Sequence, residues 1–133
     1  MKVCSYYYLM AKHSGKFITI TGGGSTVVQH EIYDLINQIW LFIPSNDIEW
    51  YFIISKGTGK CLTYTPNGLS MLNIDGNDSQ KWRFEDLMDG FFLILNKSHG
   101  CLDVCGERKS NNVEVITYRP HRGDNQRWKL LDL

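Results

Sequence analysis

The sequence predicts an all-β domain built from three copies of one unit of about four short strands. Two markers carry this prediction. The motif Gln-x-Trp occurs three times, and its glutamines are Gln38, Gln80 and Gln126. The motif Lys-x-x-Gly precedes each copy, and its glycines are Gly15, Gly59 and Gly100. Because two independent markers recur with nearly the same period, the chain is interpreted as a true internal repeat.

Each unit is predicted to contain its strands in the same order. An apolar run comes first (YYYLM, WYFII or FFLIL), and the glycine that follows can take the positive φ of a tight hairpin. A second strand, a Gly/Asn-rich loop and a third short strand then lead to Gln-x-Trp. In the closing strand, period-2 alternation places each tryptophan and its second neighbour on one face, so the three tryptophans are predicted to be buried.

Three copies of four strands are too few for an open solenoid with capping units. A closed threefold arrangement removes the sheet edges and gives each tryptophan an equivalent place in one shared core. The sequence therefore predicts a single domain over residues 1–133, with repeats at about 6–46, 47–87 and 88–133.

Composition and targeting signals narrow the function and the compartment. The formal net charge is zero, so no overall field favours nucleic acid or an anionic membrane, and no apolar run is long enough for direct membrane insertion. The N-terminus lacks the pattern of a signal peptide, which predicts a cytoplasmic protein or one released by a non-classical route. Free thiols in a reducing compartment are expected for the four cysteines, Cys4, Cys61, Cys101 and Cys105.

With three in-phase Gln-x-Trp motifs, the chain resembles the ricin B-chain-type β-trefoil lectins over essentially its whole length. The resemblance implies a β-trefoil with threefold pseudo-symmetry and about twelve short strands, six in a barrel and six in a hairpin cap. It also implies that the tryptophans pack in the core and that the glutamines are largely structural. The implied function is carbohydrate binding without catalysis or a cofactor. Galactose and N-acetylgalactosamine are the commonest terminal sugars of that family.

Three residues of the third repeat match the family's sugar-binding positions. The resemblance implies an Asp in the second strand, an aromatic residue eight before the glutamine and a polar residue directly before it; Asp103, Tyr118 and Asn125 hold these places. A sugar offers C–H groups that stack on an aromatic ring and hydroxyls that bond to a carboxylate. Gly106 would let the backbone approach the ligand, and Gln126 would support the site.

The first two repeats lack the acidic residue. Thr19 and Thr63 stand in its place. In the first repeat His30 and Asn37 keep the other two positions, which predicts a weak or altered second site, with ordinary loop residues as the alternative. The second repeat is predicted to be scaffold only, since its corresponding residues are Leu72 or Asn73, and Ser79.

The stretch HGCLDVC raises the question of a zinc site. Its His99, Cys101 and Cys105 do not have the spacing of paired Cys-x-x-Cys motifs, so no metal is predicted. In the related family the cysteine of CLDV often pairs with a cysteine two residues past the aromatic position. That place is Pro120 here, which agrees with reduced thiols.

The basic run YRPHR lies beside Arg108 and Lys109. A solvated loop is the simplest interpretation, and preference for an anionic glycan, sialylated or sulfated, is the alternative hypothesis. Because one shallow site binds weakly, a homodimer would supply avidity.

Two other functions stay open beside the lectin interpretation. One is a β-trefoil protease inhibitor acting through an exposed loop such as TGGGS or GERKSNN; three Gln-x-Trp motifs disfavour it, because that motif marks the lectin branch. The other is a glycan-targeting subunit of a toxin complex. The sequence contains no nucleophile elbow, phosphate loop or metalloprotease motif, so an enzyme is not predicted.

Overall fold

A computed structural model describes residues 1–33 and 36–133, and in these ranges it contains twelve β-strands and five one-turn 3-10 helices. The strands are β1 Tyr6–Ala11, β2 Phe17–Thr21, β3 Thr26–His30, β4 Trp40–Pro44, β5 Tyr51–Ser55, β6 Cys61–Thr65, β7 Gly68–Leu72, β8 Trp82–Asp86, β9 Phe92–Asn96, β10 Cys101–Val104, β11 Val113–Tyr118 and β12 Trp128–Asp132. The 3-10 helices are Gly22–Gly24, Ile36–Gln38, Asp78–Gln80, Cys105–Glu107 and Asp124–Gln126.

Six strands close into a barrel. β1 pairs with β4 and β12, β5 pairs with β4 and β8, and β9 pairs with β8 and β12, all antiparallel, so the ring has no free edge. The other six strands form three hairpins, β2–β3, β6–β7 and β10–β11, which make up the cap. The predicted all-β fold, a β-trefoil with threefold pseudo-symmetry, is confirmed. β1–β4, β5–β8 and β9–β12 lie within the three predicted repeats, whose boundaries stay a prediction.

The three motif tryptophans occupy equivalent places in the core, as predicted. All are fully buried, and each begins the closing strand of its repeat. Each indole Nε1 donates a hydrogen bond to a second-strand carbonyl of its own repeat: Trp40 to Ile18 (3.1 Å), Trp82 to Leu62 (2.9 Å) and Trp128 to Leu102 (3.1 Å). A buried indole needs such a partner, so one residue type satisfies both the apolar core and the polar strand backbone.

The Lys-x-x-Gly glycines take the left-handed conformation that the hairpins require. Gly15, Gly59 and Gly100 have φ angles of 69°, 70° and 61°. A Cβ at the first two would meet nothing within 4 Å. A Cβ at Gly100 would lie 2.5 Å from the carbonyl oxygen of Tyr118, so the turn between β9 and β10 packs directly against the end of β11.

Charged side chains join the repeats at two of their junctions. Asp47 accepts hydrogen bonds of 2.7 Å from both Lys81 and Lys97, and these two bonds lower the pKa of its carboxyl to about 2. At the next junction Asp89 accepts from Lys12 (3.1 Å) and Arg127 (2.7 Å). At each junction one carboxylate bridges two cations. One cation directly follows a motif glutamine (Lys81 or Arg127), and the other begins a Lys-x-x-Gly motif (Lys97 or Lys12).

The four cysteines are free thiols. Cys61 and Cys101 are fully buried on the first positions of β6 and β10, and burial raises the pKa of both thiols to about 12. Such thiols behave as small apolar core groups. Cys105 is partly exposed and Cys4 is exposed.

Candidate functional site

The third repeat has an open cavity of about 310 Å³ between β10, β11 and the Asp124–Gln126 turn. Four of the residues predicted from the sequence line it, namely Asp103, Gly106, Tyr118 and Asn125. The fifth, Gln126, is fully buried behind them. The structure thus brings the predicted residues of the third repeat together around one concavity; their role in binding stays a prediction.

Asp103 presents its carboxylate to this cavity from the middle of β10. The residue is only 3% exposed, and it lies opposite Ile116 in the register of β10 with β11. Its Oδ2 accepts a hydrogen bond of 2.8 Å from Gln126 Nε2. Among the described residues, none donates a hydrogen bond to Oδ1, so one carboxylate oxygen is available to a ligand.

Gln126 uses its whole hydrogen-bonding capacity inside the protein. Its Nε2 donates to Asp103 and to the carbonyl of Arg119 (3.0 Å), while its Oε1 accepts from the backbone N–H groups of His121 (2.8 Å) and Arg122 (3.1 Å). With two donors and two lone pairs occupied, the amide cannot also bind a ligand. It orients the Asp103 carboxylate and holds the loop that follows β11.

Asn125 contributes an acceptor that the fold leaves unused. Its Nδ2 donates to the carbonyl of Val104 at 3.1 Å, and the residue is 2% exposed. Its Oδ1 is buried without a hydrogen-bond partner. Because an unpaired buried acceptor is costly, and because Asn125 lines the cavity, a bound hydroxyl donor would relieve that cost.

Tyr118 forms an exposed aromatic wall at the end of β11. It lies opposite Cys101 in the hairpin register and is 45% exposed. The ring of His121 approaches it edge-on, with centroids 6.2 Å apart. Gly106, in the Cys105–Glu107 turn, has a φ of 66° and adds a wall without a side chain. The result is an exposed ring beside fixed polar groups.

The structure adds four cavity residues that the sequence analysis did not assign to the site: His121, Glu107, Cys105 and Ile116. His121 Nε2 lies 3.7 Å from Asp103 Oδ2. The position of His121 in the repeat could have indicated its place near the site. The residue five before each motif glutamine donates its backbone N–H to that glutamine, and these residues are Tyr33, Asp75 and His121. The motif glutamine therefore holds the backbone at this offset in each repeat, and in the third repeat the side chain there lines the cavity.

The cavity shifts the acidity of its carboxylate. Burial raises the pKa of Asp103, and the neighbouring Glu107 raises it further. The hydrogen bond from Gln126 and the nearby His121 oppose this rise without cancelling it. The surroundings of Asp103 thus favour the protonated carboxyl more than water does.

In the first two repeats the threonines at the position of Asp103 use their hydroxyl groups in hydrogen bonds inside the protein. Thr19 and Thr63 are buried, and each hydroxyl donates at 2.9 Å to the carbonyl two residues earlier in its own strand. Each also accepts from the motif glutamine, at 3.2 Å and 3.1 Å. The register places Leu72, not Asn73, opposite Cys61 where Tyr118 stands opposite Cys101. These repeats offer no carboxylate at this position.

The first repeat keeps part of the arrangement. Asn37 Nδ2 donates to the carbonyl of Ile20 (2.7 Å) and to the hydroxyl of Tyr33 (3.1 Å), and its Oδ1 is buried without a partner, as in Asn125. His30 lies edge-on to Tyr33, with ring centroids 4.7 Å apart. The weak second site at His30 and Asn37 stays a prediction.

Neither a metal centre nor a spanning helix is found in residues 1–33 and 36–133. No three His, Cys, Asp or Glu side chains of these ranges are grouped so that they could hold a metal ion. None of their helices has the length and apolar character needed to cross a bilayer.

Comparisons with known proteins agree with this geometry. The model of the ricin-type beta-trefoil lectin domain-like family matches residues 2–70, 36–118 and 78–133. A search of curated protein sequences gave no match. Among solved structures, the designed 3-fold symmetric protein ThreeFoil is similar, with a TM-score of 0.87 and 32% identity over 96% of this chain and 99% of its own.

Two natural proteins show the same fold at lower identity. A mosquitocidal holotoxin matches with a TM-score of 0.92 and 20% identity over 100% of this chain, which spans 18% of the holotoxin chain. A Macrolepiota procera ricin B-like lectin, solved in complex with lactose, matches with a TM-score of 0.85 and 19% identity over 100% of this chain and 99% of its own. The family model covers every repeat, and the Gln-x-Trp geometry recurs in each; the chain belongs to the ricin-type β-trefoil lectin domain-like family.

Proposed function

We propose that this protein is a carbohydrate-binding lectin whose principal site is the third-repeat cavity. One observation carries the proposal: Asp103, with one carboxylate oxygen that accepts no hydrogen bond, Asn125, with an unpartnered amide oxygen, and the exposed ring of Tyr118 all line one open cavity of about 310 Å³. A site of this kind is complementary to a small polyhydroxylated ring.

Binding would divide the sugar between a polar and an apolar face. Hydroxyl groups donate to Asp103 Oδ1 and Asn125 Oδ1, and the charged acceptor makes the stronger bond. The C–H face of the sugar covers the Tyr118 ring. Gly106 leaves room for the ligand at the opposite wall. These contacts need neither a cofactor nor a covalent step, so the proposed activity is binding without turnover.

Galactose and N-acetylgalactosamine are the first sugars to test. The Macrolepiota procera lectin of the same fold was solved with lactose, whose terminal sugar is galactose. A single open site of this size is expected to bind a monosaccharide with a Kd of about 0.1–10 mM. A homodimer would raise the avidity for a surface that carries many copies of the sugar.

The decisive variant is Asp103→Asn. The amide oxygen introduced at this position can still accept from Gln126 Nε2, so the fold is retained while the charge is lost. Affinity for lactose, measured by calorimetry or NMR titration, should fall at least about 30-fold, which corresponds to about 2 kcal/mol for a charge-assisted bond.

The matched control is Thr63→Val at the equivalent place in the second repeat. It should leave the affinity unchanged, because the Thr63 hydroxyl is occupied inside the hairpin. Equal binding by wild type and Asp103→Asn, or loss of binding in Thr63→Val, would contradict the assignment of the site.

A glycan-targeting subunit of a toxin complex is the second candidate. It is favoured by one comparison, since the same fold occurs as 18% of a mosquitocidal holotoxin chain. The third-repeat site would then have the same role, and a partner would carry the toxic activity. Size-exclusion chromatography of the native source, followed with an antibody, tests this: elution with a larger partner supports it, and elution at 15.4 kDa or as a simple multiple rejects it.

A further inference from the structure

We infer that the third-repeat site prefers a sugar that carries an anionic substituent, a sulfate ester or a carboxylate, held by Arg119 and Arg108 at the rim of the cavity. This inference rests on the proposed function and names the substrate class of the same site. It follows from a difference among the arginines of the third repeat: some form ion pairs with carboxylates of the protein, and others do not.

Two of these arginines are neutralised by neighbouring strands or loops. Arg122 forms an ion pair with Glu85 at 2.9 Å, and Arg127 forms one with Asp89 at 2.7 Å. Both carboxylates come from the second repeat or from the loop after it, so these cations serve the junction between repeats. They are not free to bind a ligand without breaking that junction.

Arg119 and Arg108 have no such partner. Among the residues that the structure describes, no carboxylate lies within ion-pairing distance of either guanidinium. Unpaired surface arginines are common and need no explanation on their own. Their meaning here comes from position, because the side chain of each lies next to a residue that lines the cavity, Tyr118 or Gly106.

Arg119 lies beside the aromatic wall. Its guanidinium carbon is 5.8 Å from the centroid of the Tyr118 ring, and its carbonyl accepts from Gln126. The guanidinium is therefore close to the ring that a bound sugar would cover. A planar guanidinium presents paired N–H groups that match a carboxylate or a sulfate.

Arg108 lies along the glycine wall. Its Nε would be 3.5 Å from a Cβ placed at Gly106, and it donates a weak hydrogen bond of 3.4 Å to the carbonyl of Cys105. The Arg108 carbonyl accepts from Gln29 Nε2 at 2.9 Å and is 2.8 Å from His13 Nε2. Anchored in this way, the side chain places a second unpaired guanidinium next to a residue that lines the cavity.

The inner cavity has the opposite charge. Asp103 and Glu107 both line it, and each would repel an anion that entered deeply. The two signs together select an orientation: neutral hydroxyls face Asp103, and the anionic substituent projects outward to the arginines. A sugar sulfated on a hydroxyl that Asp103 binds should be rejected, whereas one substituted on an outward position should be favoured.

The test compares lactose with 3′-sulfolactose, 6′-sulfolactose, 3′-sialyllactose and 6′-sialyllactose by calorimetric titration of the full chain. At low ionic strength at least one anionic ligand should bind about three- to tenfold more tightly than lactose, and the advantage should shrink in about 0.5 M NaCl. The sulfated and sialylated ligands distinguish the sulfate source from the carboxylate source.

Arg119→Gln and Arg108→Gln should each reduce the ratio of anionic to lactose affinity toward one. Arg122→Gln, which removes a paired arginine of the same loop, should leave the ratio of anionic to neutral affinity as it is in the wild type. If no anionic ligand surpasses lactose, or if both test variants keep the full ratio, the anionic preference is wrong and the lectin function stands. If none of the five ligands binds, both proposals fail together.

Discussion

The second and third repeats share one scaffold and differ in what they present at its surface. In both, the motif tryptophan donates to a second-strand carbonyl, and the motif glutamine bonds to the side chain at the third position of that strand. Thr63 turns its hydroxyl back to its own strand, whereas Asp103 leaves an oxygen facing a cavity. The difference teaches that a repeat can keep its scaffold contacts without an available carboxylate. The proposed binding mode uses polar atoms that the fold itself leaves without a partner.

Replacing the motif tryptophans tests whether the scaffolds are equivalent. Trp82→Phe and Trp128→Phe should each lower the free energy of unfolding by about 2–4 kcal/mol, since each leaves a cavity and removes a buried hydrogen bond to a strand carbonyl. Urea unfolding followed by circular dichroism measures both. A difference between the two larger than about 1–2 kcal/mol would show that the repeats do not share the core equally.

The turn glycines distinguish the same two repeats. Gly59→Ala should cost about 1–2 kcal/mol, because the residue is left-handed but a Cβ there meets nothing within 4 Å. Gly100→Ala should cost about 2 kcal/mol more, since its Cβ would lie 2.5 Å from the Tyr118 carbonyl oxygen.

Moving the end of β11 would also displace the Tyr118 ring, so Gly100→Ala should weaken lactose binding in the fraction that remains folded. Gly59→Ala should not. Thermal unfolding and lactose titration on the two variants measure both effects. Equal losses of stability would mean that the close packing of this turn has no energetic consequence.

The fold was predictable because its determinants are local and repeated. Gln-x-Trp and Lys-x-x-Gly each recur with their period, and period-2 alternation around Trp128 requires only a few consecutive residues. Tyr118 and Asn125 could be proposed as site residues because each stands at a fixed offset from the motif glutamine. Asp103 was assigned from the family resemblance, since the separation between this position and the glutamine differs from repeat to repeat. The choice between Leu72 and Asn73 needed the strand register, which offset counting cannot supply.

Other parts of the site depend on the path of a loop or on ion pairs between residues distant in sequence. His121 reaches the cavity because Gln126 holds its backbone, and that bond follows from the path of a loop. The charge of the rim depends on Glu85 and Asp89, which neutralise two arginines from more than thirty residues away. The run YRPHR therefore looks uniformly basic in the sequence, although the structure leaves only one of its two arginines unpaired.

An Asp introduced at the equivalent position of the second repeat tests how much a buried carboxylate lowers the free energy of unfolding. Thr63→Asp should destabilise the protein by about 1–3 kcal/mol at neutral pH, because a buried carboxylate would lack the open cavity that Asp103 faces. Burial should raise the pKa of the new carboxyl, and the cost falls on its ionised form. The loss in unfolding free energy should therefore shrink as the pH falls through that raised pKa.

Thr63→Asp should not create a sugar site, since the aliphatic Leu72 and the short Ser79 stand where Tyr118 and Asn125 stand in the third repeat. Unfolding free energies near pH 7 and pH 4 test the stability, with Thr63→Val as the uncharged control. A new binding event in the titration would show that the carboxylate alone makes the site.

A change of pH should have different effects on the proposed binding group, Asp103, and on the scaffold ion pairs of Asp47. The proposed binding mode uses ionised Asp103, whose pKa is raised mainly by burial, so affinity should decline as the pH falls through that raised pKa, above the value of about 3.9 for an exposed Asp. The scaffold behaves differently. The pKa of Asp47 is lowered to about 2, so the stability from its ion pairs is complete above the unfolded value and is lost only in stronger acid.

As the pH is lowered from neutral, lactose affinity should therefore fall about tenfold per pH unit once the pH is below the raised pKa of Asp103, while the thermal transition keeps the contribution of Asp47. Glu107, His121 and His13 are the other titratable groups that act on Asp103. Titrations of Glu107→Gln, His121→Gln and His13→Gln identify their share. If these three variants keep the acid loss and Asp103→Asn shows none of it, the loss belongs to Asp103. If the loss instead follows unfolding, the separation between a binding repeat and a scaffold repeat is wrong.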